Sequence, residues 1–198
     1  MKQRREITCE LLFIEIVAVV FLGIASVLFK EKQMGVIRVH AIMPLKKSLF
    51  VFSKVFLFLL TDLAFAALMT LFNVGRKETG GVLPAVLIQT GILSLITALT
   101  GFGCTMLLKD FKQFSQAYLV IALFTATPVF LSANTAIKMD WIGYHPFYHV
   151  YMGLKNAFFG IPVANPVYYI SAVCVIILLF GMVTVAFRKE MGVVSSEL

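Results

Sequence analysis

Charge is scarce in this chain. Asp, Glu, Lys and Arg make up 14% of its 198 residues, against 60% hydrophobic ones, where a soluble domain is about a quarter charged and about half apolar. Water is therefore not its main solvent. Cysteine is equally sparse: Cys9, Cys104 and Cys174 lie far apart, and the last two fall inside apolar runs. That spacing excludes a disulfide framework and a zinc-finger pattern. No G-x-x-x-x-G-K-[ST] loop occurs, so any ATP chemistry belongs to another chain. No H-E-x-x-H, G-x-S-x-G or paired-aspartate motif occurs either, which leaves no catalytic constellation in view. There is no internal repeat and no low-complexity segment.

What the chain does have is length of apolar sequence. Runs of about 20 residues recur, each enough to cross roughly 30 Å of hydrocarbon at 1.5 Å per residue. The expected fold is an all-α polytopic membrane domain covering residues 1–198, with about five spans at 11–29, 50–72, 82–108, 114–131 and 167–187. Lys2, Arg4 and Arg5 ahead of the first run imitate a secretory signal, but that run ends in Lys30-Glu31-Lys32 and not in a small-residue cleavage site. A retained span is expected.

Between the spans, residues 30–49 are polar at both ends, with Val36, Val39, Ile42 and Met43 spaced three and four apart. That spacing predicts a short amphipathic helix lying on the membrane surface. Asn73 to Gly81 reads as a turn-rich loop, and Gly101-x-Gly103 predicts a point of close helix approach. Residues 138–165 mix Trp141, Tyr144, Phe147, Tyr148, Tyr151, Phe158 and Phe159 with Pro146, Gly160 and Pro162. Such aromatics favour the headgroup level, and one or two short outer interfacial helices are expected there.

The formal charge is +7. The basic residues sit in clusters flanking the apolar runs, so anionic lipid, not nucleic acid, is the expected partner. Ten of the 17 Lys and Arg residues (Lys30, Lys32, Arg38, Lys46, Lys47, Lys54, Lys109, Lys112, Arg188 and Lys189) fall on the side that carries residues 30–49, which favours that side as cytoplasmic. The three at the N-terminus fall on the other.

Asp62 is the most informative charge, because an acid at mid-membrane costs on the order of 2.5 to 3.5 kcal/mol on insertion scales. Two readings stay open: a place on a substrate or proton path, or a hydrogen bond to a neighbouring helix. Glu15, nearer the end of its span, is the second candidate. His145 and His149 stand four apart, a spacing that would put both on one helix face beside Asp140, but two histidines are too few for a metal site. Nineteen phenylalanines fit lipid contact and packing first, and an aromatic substrate cavity second.

The segment Glu31-Lys32-x-x-Gly35, the amphipathic stretch after it, Met43-Pro44-Leu45, Ser48 and Lys54-Val55 together resemble the cytoplasmic coupling segment of ABC transporter type-2 permeases. Gly101-Phe102-Gly103, the short connection Lys109 to Phe114, Pro128, Tyr144-His145-Pro146 and Asn156-Ala157-Phe158-Phe159-Gly160 are similar to that family's later half, closest to its fluoroquinolone-export-like branch. The likeness runs from about Leu11 to Lys189. It implies a separate ATP-binding subunit, which holds the ATP and magnesium, and a second permease copy. Glu31, Lys32, Gly35 and Arg38 would meet the ATPase, with Gly35 as the turn and Pro44 ending the coupling helix. Lys54 would anchor the second span at the headgroups. Asp62, Glu15 and Pro128 would border the substrate path, and Tyr144, His145, Phe147 and Phe159 the outer gate.

The resemblance also implies six spans with both ends inside the cell, so the first span of the family is missing here and the N-terminus falls outside. The function expected is export of a drug-like or amphipathic compound across the bacterial cytoplasmic membrane. The alternative is an ATP-independent channel or an assembly or immunity partner, with a membrane enzyme the weakest option.

Overall fold

The computed structural model describes residues 2–37, 39, 46–108, 110–133, 140–163 and 165–196. Arg38, Pro44 and most of the expected amphipathic helix lie outside the described residues. Every described element is helical. In chain order they are α1 (Lys2–Glu15), a π-turn (Ile16–Val20), α2 (Phe21–Gln33), α3 (Lys47–Val74), α4 (Arg76–Leu107), α5 (Phe111–Ala133), a 3-10 turn (Asp140–Tyr144), α6 (Pro146–Phe158) and α7 (Pro166–Ser196). Five helices among the described residues are long and apolar enough to cross a membrane: Lys2–Gln33, Lys47–Val74, Glu78–Leu107, Phe111–Leu131 and Pro166–Met191. The chain is a multi-pass helical membrane protein.

The first span differs from expectation in its start. The helix begins at Lys2 and continues through the π-turn to Gln33 as one rod of 32 residues, roughly 48 Å at 1.5 Å per residue. The polar first turns are helical because the bundle holds them. Arg5 pairs with Glu78 of α4 and donates to the Phe158 carbonyl at 3.3 Å, and Glu6 lies 3.9 Å from Lys155 of α6. Glu15 therefore sits near the middle of its helix and not near an end.

The loop expected from Asn73 to Gly81 is also corrected. Only Gly75 breaks the helix, at φ +91°, a conformation that residues with a Cβ rarely adopt. The next helix starts at once, its first turn closed by Thr79, whose hydroxyl donates to the Gly75 carbonyl at 2.7 Å. A one-residue hinge thus joins two spans, and α3 and α4 pack along their length.

Helix α4 is the axis of the bundle, packing against α2, α3, α6, α7 and the π-turn. Gly101 makes one approach possible: a Cβ there would stand 3.0 Å from the Phe21 carbonyl oxygen and 2.8 Å from the Ile24 side chain. The absence of a side chain lets α2 and α4 close to backbone contact. Around them Phe13, Ile24, Leu93, Phe102, Tyr151, Phe158 and Phe187 are buried.

The two ends of the bundle differ. One, called here the basic end, gathers the end of α2, the start of α3 and the ends of α4 and α7. The other, the aromatic end, gathers the start of α1, the Gly75 hinge, α6 and the start of α7. Helix α6 is not confined to the surface. Tyr151, Leu154, Ala157 and Phe158 are buried against the core, and the Tyr151 ring meets that of Phe13 edge-on at 5.3 Å.

Candidate functional site

Three polar residues on α4, Thr90, Ser94 and Thr97, are spaced four and three apart and so share one face of the helix. All three are buried, at 0%, 0% and 4% exposure. A hydroxyl in such a helix normally donates to the carbonyl one turn back, as those of Thr70, Thr100, Thr105, Thr125, Thr127 and Thr184 do. The hydroxyls of Thr90 and Thr97 have no hydrogen-bond partner, and that of Ser94 has only the Asp62 carboxyl of α3 beside it.

Two acids complete this region. Asp62, midway along α3 and 3% exposed, stands next to Ser94, yet its Oδ2 has no hydrogen-bond partner. Glu15, at the entry to the π-turn, lies within Coulombic reach of Asp62, and its Oε2 is buried and unpartnered. The π-turn itself is tied to α5, where Tyr118 donates to the Ala18 carbonyl at 3.2 Å. Beside Thr97 is a void of about 10 Å³ bordered also by Val17, Phe21, Thr125 and Phe147, space for a single water. Glu15 and Asp62, both candidates from the sequence, are thus brought together. The Thr90–Ser94–Thr97 stripe was not foreseen, although its spacing is visible in the sequence.

One residue away the same helix does the opposite. Gln89 is 1% exposed, accepts from the Tyr168 hydroxyl at 2.7 Å and donates to that of Tyr169 at 3.2 Å. Gly153 of α6 makes room for this group, since a Cβ there would stand 2.8 Å from Gln89 Oε1.

At the basic end, Glu31 is paired with Lys54 of α3, which also lies over the Phe50 ring. Lys32 donates to the Thr105 carbonyl of α4 at 3.1 Å and lies 3.1 Å from Glu190 of α7. The last turn of α2 is therefore fastened to three other helices. Immediately after it the chain turns at Gly35, φ +74°. Glu31 and Lys54 thus hold one another, where the sequence reading had assigned Glu31 to a partner protein and Lys54 to headgroups.

At the aromatic end the four gate candidates do not converge. Tyr144 is fully outward at 90% exposure, His145 is buried, and Phe147 and Phe159 stand at opposite ends of α6, roughly 18 Å apart by helical rise. Pro128 belongs with His145. Proline cannot donate to the carbonyl four residues back, here that of Phe124, and the His145 ring lies against this carbonyl with its centroid 4.4 Å from the Phe124 ring. Neither imidazole nitrogen completes a hydrogen bond, and burial pushes the imidazole below its usual range. His149 is turned away and exposed, its Nε2 2.9 Å from the Gly143 carbonyl oxygen. His145 caps α6 in an extended conformation, so the expected shared helix face does not exist. Among the described residues no three or more His, Cys, Asp and Glu side chains come together as a metal-binding group.

Between α3, α4 and α7 runs an apolar groove of about 450 Å³, lined by side chains that include Phe52, Phe56, Leu59, Leu95, Ile177 and Phe180. Its size is that of a pocket for a small organic molecule. Compared with protein-family models, curated proteins and solved structures, this chain matches none.

Proposed function

We propose that this chain is the membrane-spanning subunit of an ATP-driven exporter of the ABC type in the bacterial cytoplasmic membrane, its basic end facing the cytoplasm. The observation that carries the reading is the fastening of α2 at that end. Glu31 to Lys54, Lys32 to the Thr105 carbonyl and Lys32 to Glu190 tie the helix just ahead of residues 34–46 to α3, α4 and α7. A push on that segment by an ATP-binding partner is passed at once to three spans, which alternating access requires. A second permease copy, in a homodimer or a heterodimer, completes the transporter. ATP and magnesium are held by the partner subunit. The cargo is drug-like or amphipathic: its apolar part fits the groove between α3, α4 and α7.

The test is co-purification of an ATP-binding subunit with the tagged wild-type chain, beside Glu31→Ala and Gly35→Trp. Retention by wild type and loss in both variants is the expected result. Absence of any ATPase from gently solubilised wild type would move the chain to an ATP-independent channel or binding partner.

A further inference from the structure

The acids of the bundle interior have no protein counter-charge. The five spans place no Lys, Arg or His at the depth of Glu15 and Asp62, and Lys54, the basic residue furthest into a span, is taken by Glu31. A buried carboxylate and a half-buried one, within Coulombic reach of each other in hydrocarbon, cannot both stay charged without a cation. The Ser94 hydroxyl of α4 faces the Asp62 carboxyl of α3, whose Oδ2 is left buried and unpartnered, as is Oε2 of Glu15 on α1, within Coulombic reach of it. The equally unpartnered Thr90 and Thr97 hydroxyls stand one turn to either side. Elsewhere on α4 a buried polar group is closed, since Gln89 is bonded to both Tyr168 and Tyr169.

We propose that Glu15, Asp62 and Ser94, flanked by Thr90 and Thr97, form a binding site for one small monovalent inorganic cation, sodium or a proton, at the centre of the membrane. The donor set is all oxygen, the chemistry of hard cations. With one carboxyl protonated the site carries a single negative charge, the match for one monovalent ion. With sodium bound, one carboxylate is offset by the ion and the other carries its own proton. Without sodium, the two carboxyls hold protons between them as one coupled unit. Other titratable groups on the surrounding helices include Glu6, Cys9 and Glu10 of α1, Cys104 of α4 and Tyr151 of α6, with Tyr118, which is bonded to Ala18, Tyr168, which is bonded to Gln89, and His145 against Phe124. The Glu15 carboxyl opens the π-turn, an element that recurs at functional sites, so occupancy of the site bears directly on the helix that ends in the Glu31–Lys54 pair. The inference does not depend on an ATPase partner.

The test uses the purified full chain in nanodiscs. Thermal unfolding is followed with sodium chloride against choline chloride at equal ionic strength, and infrared difference spectra record protonated carboxyl groups across pH. Wild type is compared with Asp62→Asn and with Ser94→Ala, the second keeping the test open if the first fails to fold. A sodium-dependent rise in Tm that is reduced or lost in the variants supports a sodium site. No sodium effect, but a protonated-carboxyl band that titrates in wild type and is altered by Ser94→Ala or removed by Asp62→Asn, supports a proton site. Absence of both signals in wild type overturns the proposal, as does a sodium effect or a carboxyl band that both variants leave unchanged.

Discussion

Gln89 and Thr90 are neighbours in sequence, about 100° apart around the same helix, both out of reach of solvent. On one side a carboxamide and two phenols exchange hydrogen bonds until each is satisfied. On the other, three hydroxyls and two carboxylates meet with oxygens left over. The difference teaches that this bundle closes polar groups where it uses them as structural glue. It leaves oxygens open on the side proposed to bind a cation, as it also leaves Glu31 Oε2 and both His145 nitrogens without partners.

The sharpest way to break the comparison is to remove the charge from the open side. Asp62→Val, measured in sodium-free buffer at neutral pH, is expected to raise stability in detergent by up to about 3 kcal/mol, the insertion cost of a mid-membrane acid. A loss of stability would mean that Asp62 is itself structural glue. The next effect is smaller and of opposite sign. Gln89→Leu leaves the Tyr168 and Tyr169 hydroxyls without partners and is expected to cost about 1 to 3 kcal/mol, whereas Thr90→Val, which removes a hydroxyl that bonds to nothing, should be near neutral. Equal costs at the two positions would erase the distinction.

The smallest effect lies at the aromatic end. Burial holds the His145 imidazole below its ordinary value of 6.5, so the unfolded chain takes up the proton more readily than the folded one. This contribution to stability is complete above pH 6.5 and declines as the pH falls below it. His145→Gln should flatten that part of the profile in a series of unfolding curves from pH 7.5 to about 5. If the variant keeps the wild-type slope, other groups carry it.

Much of this was legible in the sequence. The apolar runs were long enough to mark all five spans, and Asp62 stood out because a lone acid in such a run has few bland explanations. Two features of the site were harder to read. Glu15 looked peripheral because the polar turn Lys2–Glu6 resembles a flank, and only the contacts of Arg5 with Glu78 and Glu6 with Lys155 make it helical and place Glu15 in mid-span. Thr90, Ser94 and Thr97 carry a visible spacing, but serine and threonine in apolar helices usually satisfy themselves against their own backbone. Nothing in the residue types separates the three that do not from the nine threonines that do. Likewise the Asn73–Gly81 stretch has the composition of a loop, and a single left-handed glycine was enough to make the turn.

The π-turn between Glu15 and Phe21 has one further consequence. It is a single extra residue wound into a helix that is otherwise regular, and in a rod of 3.6 residues per turn each added residue rotates everything beyond it by about 100°. Such an insertion behaves like a dislocation in a crystal: it can step along the rod by exchanging one carbonyl for the next, without the rod ever coming apart. Each step would turn one more residue through that angle. Glu15 stands at the threshold of the defect, one step from changing the direction in which it points.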